Sequence, residues 1–274
     1  MKKMVVTGSE GFIGKKLVER LTLEDREIFC IDDEYLQNEN WEEALETLLS
    51  TIDFDIVYHV GACSDTLEQN VNFMMVRNYE ATKVLSRIAS AKNAKFIYSS
   101  SAANYGINDR YPANLYGWSK YAAEDYVRLS GGVSLRYFNV YGPGEENKGN
   151  MASFLHQAYL MHGSGTDVKL FPGKPSRDFI HVNDVVEANI HAAQAYFNLK
   201  GQVFEVSTGT SRTFEEMLDL ADIPYTYTSE EKIPSGYQFY TCGDRGKHMP
   251  GWVPKVNLEL GVKTYIEHLH KLEH

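Results

Sequence analysis

The sequence predicts an α/β protein: a Rossmann-type doubly wound parallel sheet with a smaller interleaved α/β substrate-binding lobe. Three observations predict this fold. Short β-branched runs alternate with longer segments whose apolar residues recur at helical spacing. Three glycines follow the first run directly, at the point where a helix begins. The alternation stops after Tyr137, where a stretch rich in Gly, Asn and Glu begins.

The periodicity assigns most elements of the first half. Strands are expected near residues 3–7, 27–32, 55–59, 95–99 and 133–137. Helices are expected over 11–21, 41–51, 72–91 and 115–128, then from 151, from 184 to about 196, and near 258–271. We predict a Rossmann domain over 1–138, with 178–200 returning to it, and a substrate lobe formed by 139–177 and 201–271. Residues 272–274 are expected to be a tag remnant.

Composition excludes several classes of protein. With 274 residues, 43% apolar and 23% charged, the chain has the balance of a globular protein. Its net charge of −10 opposes a nucleic acid or an anionic membrane as partner. The three cysteines are odd in number and widely separated, which predicts neither a disulfide framework nor a metal site and favours the cytoplasm. We expect no metal.

The glycine turn indicates a dinucleotide. Gly8, Gly11 and Gly14 form GxxGxxG between the first strand and its helix. Such glycines permit a tight turn and a close backbone approach, and the amides at a helix N-terminus stabilise a pyrophosphate. The alternative is a glycine-rich turn of the kind found in many α/β proteins.

Charge near the second strand predicts which dinucleotide. Asp32 follows Gly14 by 18 residues, where a carboxylate can accept hydrogen bonds from the adenosine ribose. Asp33 and Glu34 stand beside it, and the segment from Glu27 to Val76 contains no Lys or Arg. A ribose 2′-phosphate would be repelled there, so we predict NAD as the cofactor in preference to NADP.

A second pattern indicates acid–base chemistry. Tyr116 and Lys120 stand four residues apart and therefore on one face of a helix. A lysine cation and an oxidised nicotinamide would lower the phenol pKa and make Tyr116 a usable acid and base. A surface tyrosine beside a solvated lysine is the alternative. The three serines that end the preceding strand with Ser101 favour the catalytic interpretation.

These motifs resemble those of the extended short-chain dehydrogenase/reductase superfamily, which includes the nucleotide-sugar epimerases and dehydratases. The resemblance rests on TGSEGFIG, YSSSAANYG, YGWSK, LRYFNVYGPG and RDFIHVNDV. Within it, YHVGACSDT, NKGNMAS and VKLFPGKPSRDF are similar to the ADP-L-glycero-D-manno-heptose 6-epimerases. The resemblance implies an NAD-dependent epimerase that inverts a sugar carbon through a transient ketone, acts on a nucleotide-diphosphate sugar and assembles as a homo-oligomer.

The resemblance also implies roles for individual residues. The catalytic set is Ser101, Tyr116, Lys120 and Lys148. The cofactor set is Gly8, Gly11, Phe12, Ile13, Gly14, Asp32, Asp33, Gly61, Ala62, Cys63, Ser64, Asn78, Tyr116, Lys120 and Val140. The substrate set is Ser101, Asn139, Asn150, Gln157, Phe171, Arg177 and Tyr237.

Two roles stay open at this point. Lys148 is a second acid/base, a ligand of the substrate diphosphate or a solvated loop lysine. Arg177 either donates to a diphosphate or forms an interior ion pair with Asp178 or Asp184.

The chain also departs from the heptose epimerases. Asp33 stands where those that prefer NADP have Asn, and Gln157 and Gly236 replace a family His and Arg. A different 4-epimerase or a keto-sugar reductase therefore remains an alternative activity. An idle NAD-binding sensor or scaffold is the alternative from another class of protein.

Overall fold

The computed structural model describes residues 3–24, 26–107 and 111–273. Contacts divide the chain into two units, Met1–Tyr137 with Val186–Phe204, and Phe138–Val185 with Glu205–His274.

The elements follow the expected alternation through the first unit. The strands are β1 (Lys3–Thr7), β2 (Ile28–Ile31), β3 (Phe54–His59), β4 (Lys95–Ser101), β5 (Val133–Tyr137), β6 (Asn139–Tyr141), β7 (Val168–Leu170), β8 (Ser176–Arg177), β9 (Phe179–His181), β10 (Val203–Val206), β11 (Arg212–Thr213) and β12 (Tyr225–Tyr227). The helices are α1 (Phe12–Leu21), α2 (Trp41–Ser50), α3 (Val71–Met75), α4 (Ala81–Ala91), α5 (Leu115–Leu129), α6 (Phe154–Gly163), α7 (Val182–Gln194), α8 (Tyr196–Leu199), α9 (Phe214–Leu220) and α10 (Leu258–Leu272).

One six-stranded sheet organises the first unit, in the order β10-β5-β4-β3-β1-β2. The pairs that join β2, β1, β3, β4 and β5 are all parallel, as the βαβ rhythm predicts. Its core includes Val57 and Phe96 from the strands and Leu45, Leu49 and Leu85 from the helices. Because the carboxyl ends of parallel strands share one edge, Thr7, Ile31, His59 and Ser101 all end there.

The helical crossover after β3 contains a π-helical turn. Residues Val76–Glu80 form this turn between α3 and α4. Such turns are rare and often occur at functional sites. Asn78 and Arg77 both lie on it.

The second unit contains three two-stranded sheets, β6 with β9, β7 with β12 and β8 with β11. Its core includes Tyr141, Leu155, Met217, Val262 and Tyr265. Helix α6 begins at Phe154 rather than at the expected Met151, because the Ser153 hydroxyl accepts the amide of His156 and caps the helix.

The residue at which the chain returns from the second unit to the first also differs from the predicted one. Residues 178–185 belong to the second unit, because β9 pairs in parallel with β6. The chain returns to the first unit at Val186 and leaves it after Phe204. At the C-terminus, α10 continues through Leu272, and His274 of the expected tag remnant lies outside the described residues.

None of the helices in the described ranges combines the length and apolar character that crossing a membrane requires.

Candidate functional site

The glycine turn after β1 brings backbone close to backbone. Gly8 has φ +68°, and a Cβ there would lie 2.5 Å from the Gly61 Cα. A Cβ on Gly14 would lie 1.9 Å from the Gly8 carbonyl oxygen. Both positions therefore require glycine. Gly11, by contrast, is exposed and begins α1 without any side-chain cap, so the helix N-terminus presents backbone to a ligand.

The predicted ribose ligand Asp32 lies against this turn. Its carboxylate accepts the Ser9 hydroxyl and, at 3.1 Å, the amide of Glu10. Its neighbour Asp33 forms an ion pair with Arg77. The absence of Lys and Arg between Glu27 and Val76 predicted a site without a nearby cation, and this prediction is wrong. The first cation after the Lys- and Arg-free segment folds back onto it across 44 residues of chain.

A buried hydrogen-bond chain starts at Gly61. The Gly61 amide donates to the Thr7 hydroxyl at 3.1 Å, and this hydroxyl lies 2.7 Å from Nδ1 of His59. The Thr82 hydroxyl donates to the Asn78 carbonyl at 2.7 Å and lies 2.9 Å from Nε2 of His59. Since Thr82 has only one proton, it accepts from Nε2, and Nδ1 accepts from Thr7. This chain of bonds suits a neutral imidazole that carries its proton on Nε2.

Burial also favours the neutral form of His59. Desolvation, followed by the positive charge of Lys120, lowers the His59 pKa to about 3. The sequence interpretation missed this residue. A histidine at the end of a largely apolar strand is the signal that could have found it.

Asn78 links the loop after β3 to helix α5. Its side chain accepts the Cys63 amide at 2.8 Å and donates to the Cys63 carbonyl at 3.0 Å. It also donates to the Ser119 hydroxyl at 2.9 Å, which in turn donates to the Tyr116 carbonyl at 2.7 Å. Asn78 thus holds the loop with Gly61, Ala62, Cys63 and Ser64 beside α5. Burial raises the pKa of the Cys63 thiol, in keeping with a packed rather than a nucleophilic side chain.

Tyr116 and Lys120 lie on the first turns of α5, which Asn114 caps by accepting the Gly117 amide at 2.8 Å. The Tyr116 phenol lies close enough to Ser101, at the end of β4, for the serine hydroxyl to lower the phenol pKa. The structure therefore brings the predicted serine and tyrosine together. The Lys120 ammonium lies 4.5 Å from the centre of the Tyr98 ring and is buried.

The expected pKa change of Tyr116 is not present in the protein alone. Burial raises the Tyr116 pKa, and the Ser101 hydroxyl only partly opposes this increase. Desolvation instead lowers the pKa of Lys120 to about 7, while the Glu124 carboxylate opposes this decrease. The Lys120 ammonium, rather than the phenol, is thus the group shifted toward neutral pH.

Glu124 anchors a buried network that the sequence interpretation missed. Its carboxylate accepts the Ser100 hydroxyl at 2.6 Å and the Asn104 amide at 3.1 Å. It also accepts two bonds from Arg136, at 2.7 Å and 2.5 Å. Ser100 and Asn104 flank Ser101. The Glu124–Arg136 ion pair therefore supports the end of β4, where Ser101 lies. Glu124 lies four residues after Lys120, a spacing that could have suggested it.

In the second unit, Glu145 organises the loop that carries Lys148. The buried Glu145 carboxylate accepts the Gly142 amide at 3.2 Å and the Ser153 hydroxyl at 2.7 Å, and the Lys148 amide donates to its carbonyl at 2.9 Å. Burial lowers the Lys148 pKa, and Glu145 opposes this decrease. A half-buried ammonium disfavours the solvated-lysine alternative.

Three predicted substrate residues come together in the second unit. The rings of Phe171 and Tyr237 are 4.9 Å apart, and the Arg177 guanidinium lies 5.5 Å from the Tyr237 ring. Burial lowers the Arg177 pKa. Within the described ranges, no hydrogen bond or ion pair joins Arg177 to a carboxylate, so the expected alternative of a pair with Asp178 or Asp184 is not observed.

Backbone amides engage those two aspartates instead. Asp178 accepts the Thr208 amide at 2.8 Å, the Gly209 amide at 2.9 Å and the Gly243 amide at 3.0 Å. Asp184 accepts the Lys255 and Val256 amides. Asp178 therefore fixes the loops beside Arg177 without neutralising it. The Asp178 contacts span 30 to 65 residues, and no local pattern reveals them.

The remaining predicted residues of this unit have structural contacts or are exposed. Gln157 donates to the carbonyls of Asn150 and Ala152, at 3.1 Å and 2.8 Å. Asn139 donates to the Asp178 carbonyl at 3.3 Å. Asn150 is exposed, and Val140 lies on β6 opposite Ile180 of β9.

A separate pocket of about 270 Å³ lies on the first unit. Tyr105, Tyr111, Trp118 and Arg136 help to line it, and none of its lining residues belongs to a predicted set. In the part of the chain that the structure describes, no group of three or more His, Cys, Asp or Glu side chains could hold a metal ion.

Comparison with known proteins connects this geometry to a family. A family model described as the NAD dependent epimerase/dehydratase family matches residues 4–207. The chain is 33% identical to an ADP-L-glycero-D-manno-heptose-6-epimerase of Brachyspira hyodysenteriae, over 98% of each chain.

Solved structures with similar folds include two epimerases. The Helicobacter pylori ADP-L-glycero-D-manno-heptose-6-epimerase has a TM-score of 0.85 and 28% identity, covering 98% of this chain and 96% of that one. The UDP-glucose 4-epimerase of Thermotoga maritima, solved with UDP-glucose, has a TM-score of 0.86 and 25% identity, covering 99% and 100%.

Proposed function

Because the chain belongs to the NAD-dependent epimerase/dehydratase family, we propose that it is a nucleotide-sugar epimerase that inverts a carbon of an ADP-heptose or a related sugar through a transient ketone. The observation that carries this proposal is the proximity of Ser101 to Tyr116, with Lys120 one turn further along α5. The full-length similarity to a heptose epimerase supports the choice of sugar.

The first unit fits a dinucleotide. The uncapped N-terminus of α1 suits the pyrophosphate, and the Gly8 and Gly61 backbones leave no side chain in its way. Asp32 suits the ribose hydroxyls. When bound, the nicotinamide supplies the reversible oxidation of a sugar carbon. We infer NAD as the preferred form, because Asp32, Asp33 and Glu34 stand together and the cation Arg77 is already paired with Asp33.

The proton work falls to Tyr116 and its neighbours. Tyr116 accepts the proton of the sugar hydroxyl as the carbonyl forms and returns a proton when the carbonyl is reduced. Ser101 donates a hydrogen bond to the same sugar oxygen. Protonated Lys120 stabilises the phenolate form of Tyr116, and its pKa near 7 lets it exchange a proton at neutral pH. Asn78 and Ser119 orient the helix turn that carries Tyr116.

Arg177, Phe171 and Tyr237 suit the nucleotide-diphosphate part of the substrate. A half-buried guanidinium without a carboxylate partner among the described residues can form a fork of hydrogen bonds to phosphate oxygens. The two rings can pack against a base or a sugar. Lys148, with its lowered pKa, is either a second acid/base for the inverted carbon or a further phosphate ligand.

We also propose a homo-oligomeric state, by likeness to the family, and a cytoplasmic location. The three cysteines of the chain are all unpaired, in keeping with a reducing compartment. Light scattering during size exclusion measures the oligomeric state directly.

The test is a substrate panel followed by NMR. The protein is incubated with one pure epimer of ADP-glycero-manno-heptose, and in parallel with UDP-glucose, without added reductant. The proposal predicts that the heptose epimers interconvert with no net change in cofactor oxidation state. Interconversion of UDP-glucose and UDP-galactose alone would reassign the substrate. Stoichiometric consumption of NADH would instead identify a keto-sugar reductase, and no reaction together with NAD binding would favour the sensor.

A further inference from the structure

Two contacts hold the Arg77 side chain in place on the first unit. Its guanidinium donates to the Asp33 carboxylate and lies 4.5 Å from the centre of the Phe73 ring. The Arg77 side chain is 21% exposed, whereas the Asp33 side chain is 66% exposed. The arginine is therefore a held, partly buried cation, and the aspartate that engages it faces solvent.

The position of this pair gives it a consequence for cofactor choice. Asp33 directly follows Asp32, whose carboxylate contacts Ser9 and Glu10 of the glycine turn. Strand β2, which these residues follow, is the outermost strand of its sheet. If the proposed cofactor binds as the glycine turn indicates, the adenosine ribose lies beside Asp32, within reach of the side chains that follow it.

A phosphate on the ribose 2′-oxygen would require a guanidinium or ammonium there. Arg77 has the right chemistry, but its guanidinium already donates a hydrogen bond to Asp33 and is paired with that carboxylate. We propose that Arg77 is a latent 2′-phosphate ligand, and that Asp33 selects NAD over NADP by occupying Arg77 as well as by repelling the phosphate. This inference rests on the proposed use of a nicotinamide dinucleotide.

The experiment is a double-variant cycle read by equilibrium binding. Asp33→Asn, Arg77→Met and the combined variant are titrated with NAD, NADP, adenosine 2′,5′-bisphosphate and 5′-AMP. The Met side chain retains apolar contact with Phe73. Glu34→Gln is the matched control, because it removes one negative charge from the adjacent residue, whose side chain has no ion pair with Arg77. Thermal unfolding verifies that each variant is folded, and Asp33→Ser serves as a second substitution.

The affinity ratio for adenosine 2′,5′-bisphosphate over 5′-AMP measures the effect of the 2′-phosphate alone. We expect Asp33→Asn to raise this ratio, and the NADP over NAD ratio, by about tenfold or more, as a new charge-assisted bond allows. In the combined variant, both affinity ratios should rise only as much as they do in Glu34→Gln. High salt should reduce the increase in Asp33→Asn.

Two results would overturn the inference. An equal increase in Asp33→Asn and in the combined variant would leave repulsion as the sole effect of Asp33. No increase in either Asp33 variant would exclude a phosphate-binding role for Arg77. In both cases retained NAD binding by the unaltered protein would leave the proposed function intact, whereas failure to bind either dinucleotide would contradict the proposed function itself.

Discussion

The two units hold their functional residues by different means. In the first unit, side chains bond to other buried side chains, as in the His59 chain and the Glu124–Arg136 pair. In the second unit, single carboxylates accept backbone amides, as Asp178 and Glu145 do. A network of hydrogen-bonded side chains fixes the orientation of the side chains within it. A carboxylate that accepts several backbone amides fixes the path of a loop, and the side chains of that loop can then be substituted without loss of those bonds.

The two units also carry different predicted roles. The predicted acid–base residues Ser101, Tyr116 and Lys120 lie on the first unit, and the predicted substrate residues Gln157 and Arg177 lie on the second. We therefore expect substitutions in the second unit to change substrate binding more than proton transfer. Four substitutions test this contrast.

Removing the Glu124 carboxylate should have the largest effect on stability. Glu124→Gln leaves Arg136 without its ion partner in a site that is 17% exposed, and breaking such a pair costs about 3 kcal/mol. Urea unfolding measures the change. The control is Glu46→Gln, whose exposed pair with Arg87 should contribute less than about 1 kcal/mol. Equal losses in the two variants would contradict the assignment of Glu124 as a buried anchor.

The neutral His59 should make stability depend on pH. Its folded pKa of about 3 lies below the unfolded value of 6.5, so the unfolded chain binds the extra proton between these values. Stability is therefore complete above pH 6.5 and decreases on acidification toward pH 3. At pH 4.5 this loss should amount to about 3 kcal/mol. The slope should be absent from His59→Gln, and an unchanged slope would indicate that other groups dominate.

Asp178→Asn should affect the second unit selectively. The amide oxygen can accept only part of what the carboxylate accepts, and it lacks the charge, so we expect a loss of about 1 to 2 kcal/mol. Because the loops beside Arg177 loosen, KM for the nucleotide sugar should rise more than kcat falls. NAD affinity should stay within about twofold, measured by titration. A loss of NAD affinity as large as the rise in KM would contradict this separation.

Gln157→Ala should have the smallest effect. Its side chain donates to two carbonyls at the N-terminus of α6, one of them buried, so a loss of about 0.5 to 1 kcal/mol is expected. If Gln157 is only a clamp, KM should not change. An increase in KM of tenfold or more with unchanged stability would restore its predicted role as a substrate ligand.

Local patterns predicted much of the first unit. Strands β1 to β5 lie within two residues of their expected ends, because each β-branched run is bounded by a turn and followed by an amphipathic helix. The glycine turn and the position of Tyr116 and Lys120 on one helix face could be predicted for the same reason. Each is a short-range feature whose chemistry depends on spacing alone.

The missed features that no local pattern reveals depend on contacts between distant residues. Arg77 reaches Asp33 across 44 residues, and Asp178 gathers amides up to 65 residues away. The pairing of β6 with β9, which moves residues 178–185 into the second unit, is of the same kind. The raised pKa of Tyr116 was missed because burial cannot be inferred from the YxxxK spacing.

We propose that Tyr116 performs the proton transfer of a sugar epimerisation and that the site binds NAD independently of the phenol. The most direct measurement is the rate of heptose interconversion by Tyr116→Phe at saturating NAD, followed by NMR together with an NAD titration. We expect the rate to fall by about a thousandfold or more while NAD affinity changes by less than about threefold. A variant that interconverts the epimers at a rate close to that of the unaltered protein would contradict the claim.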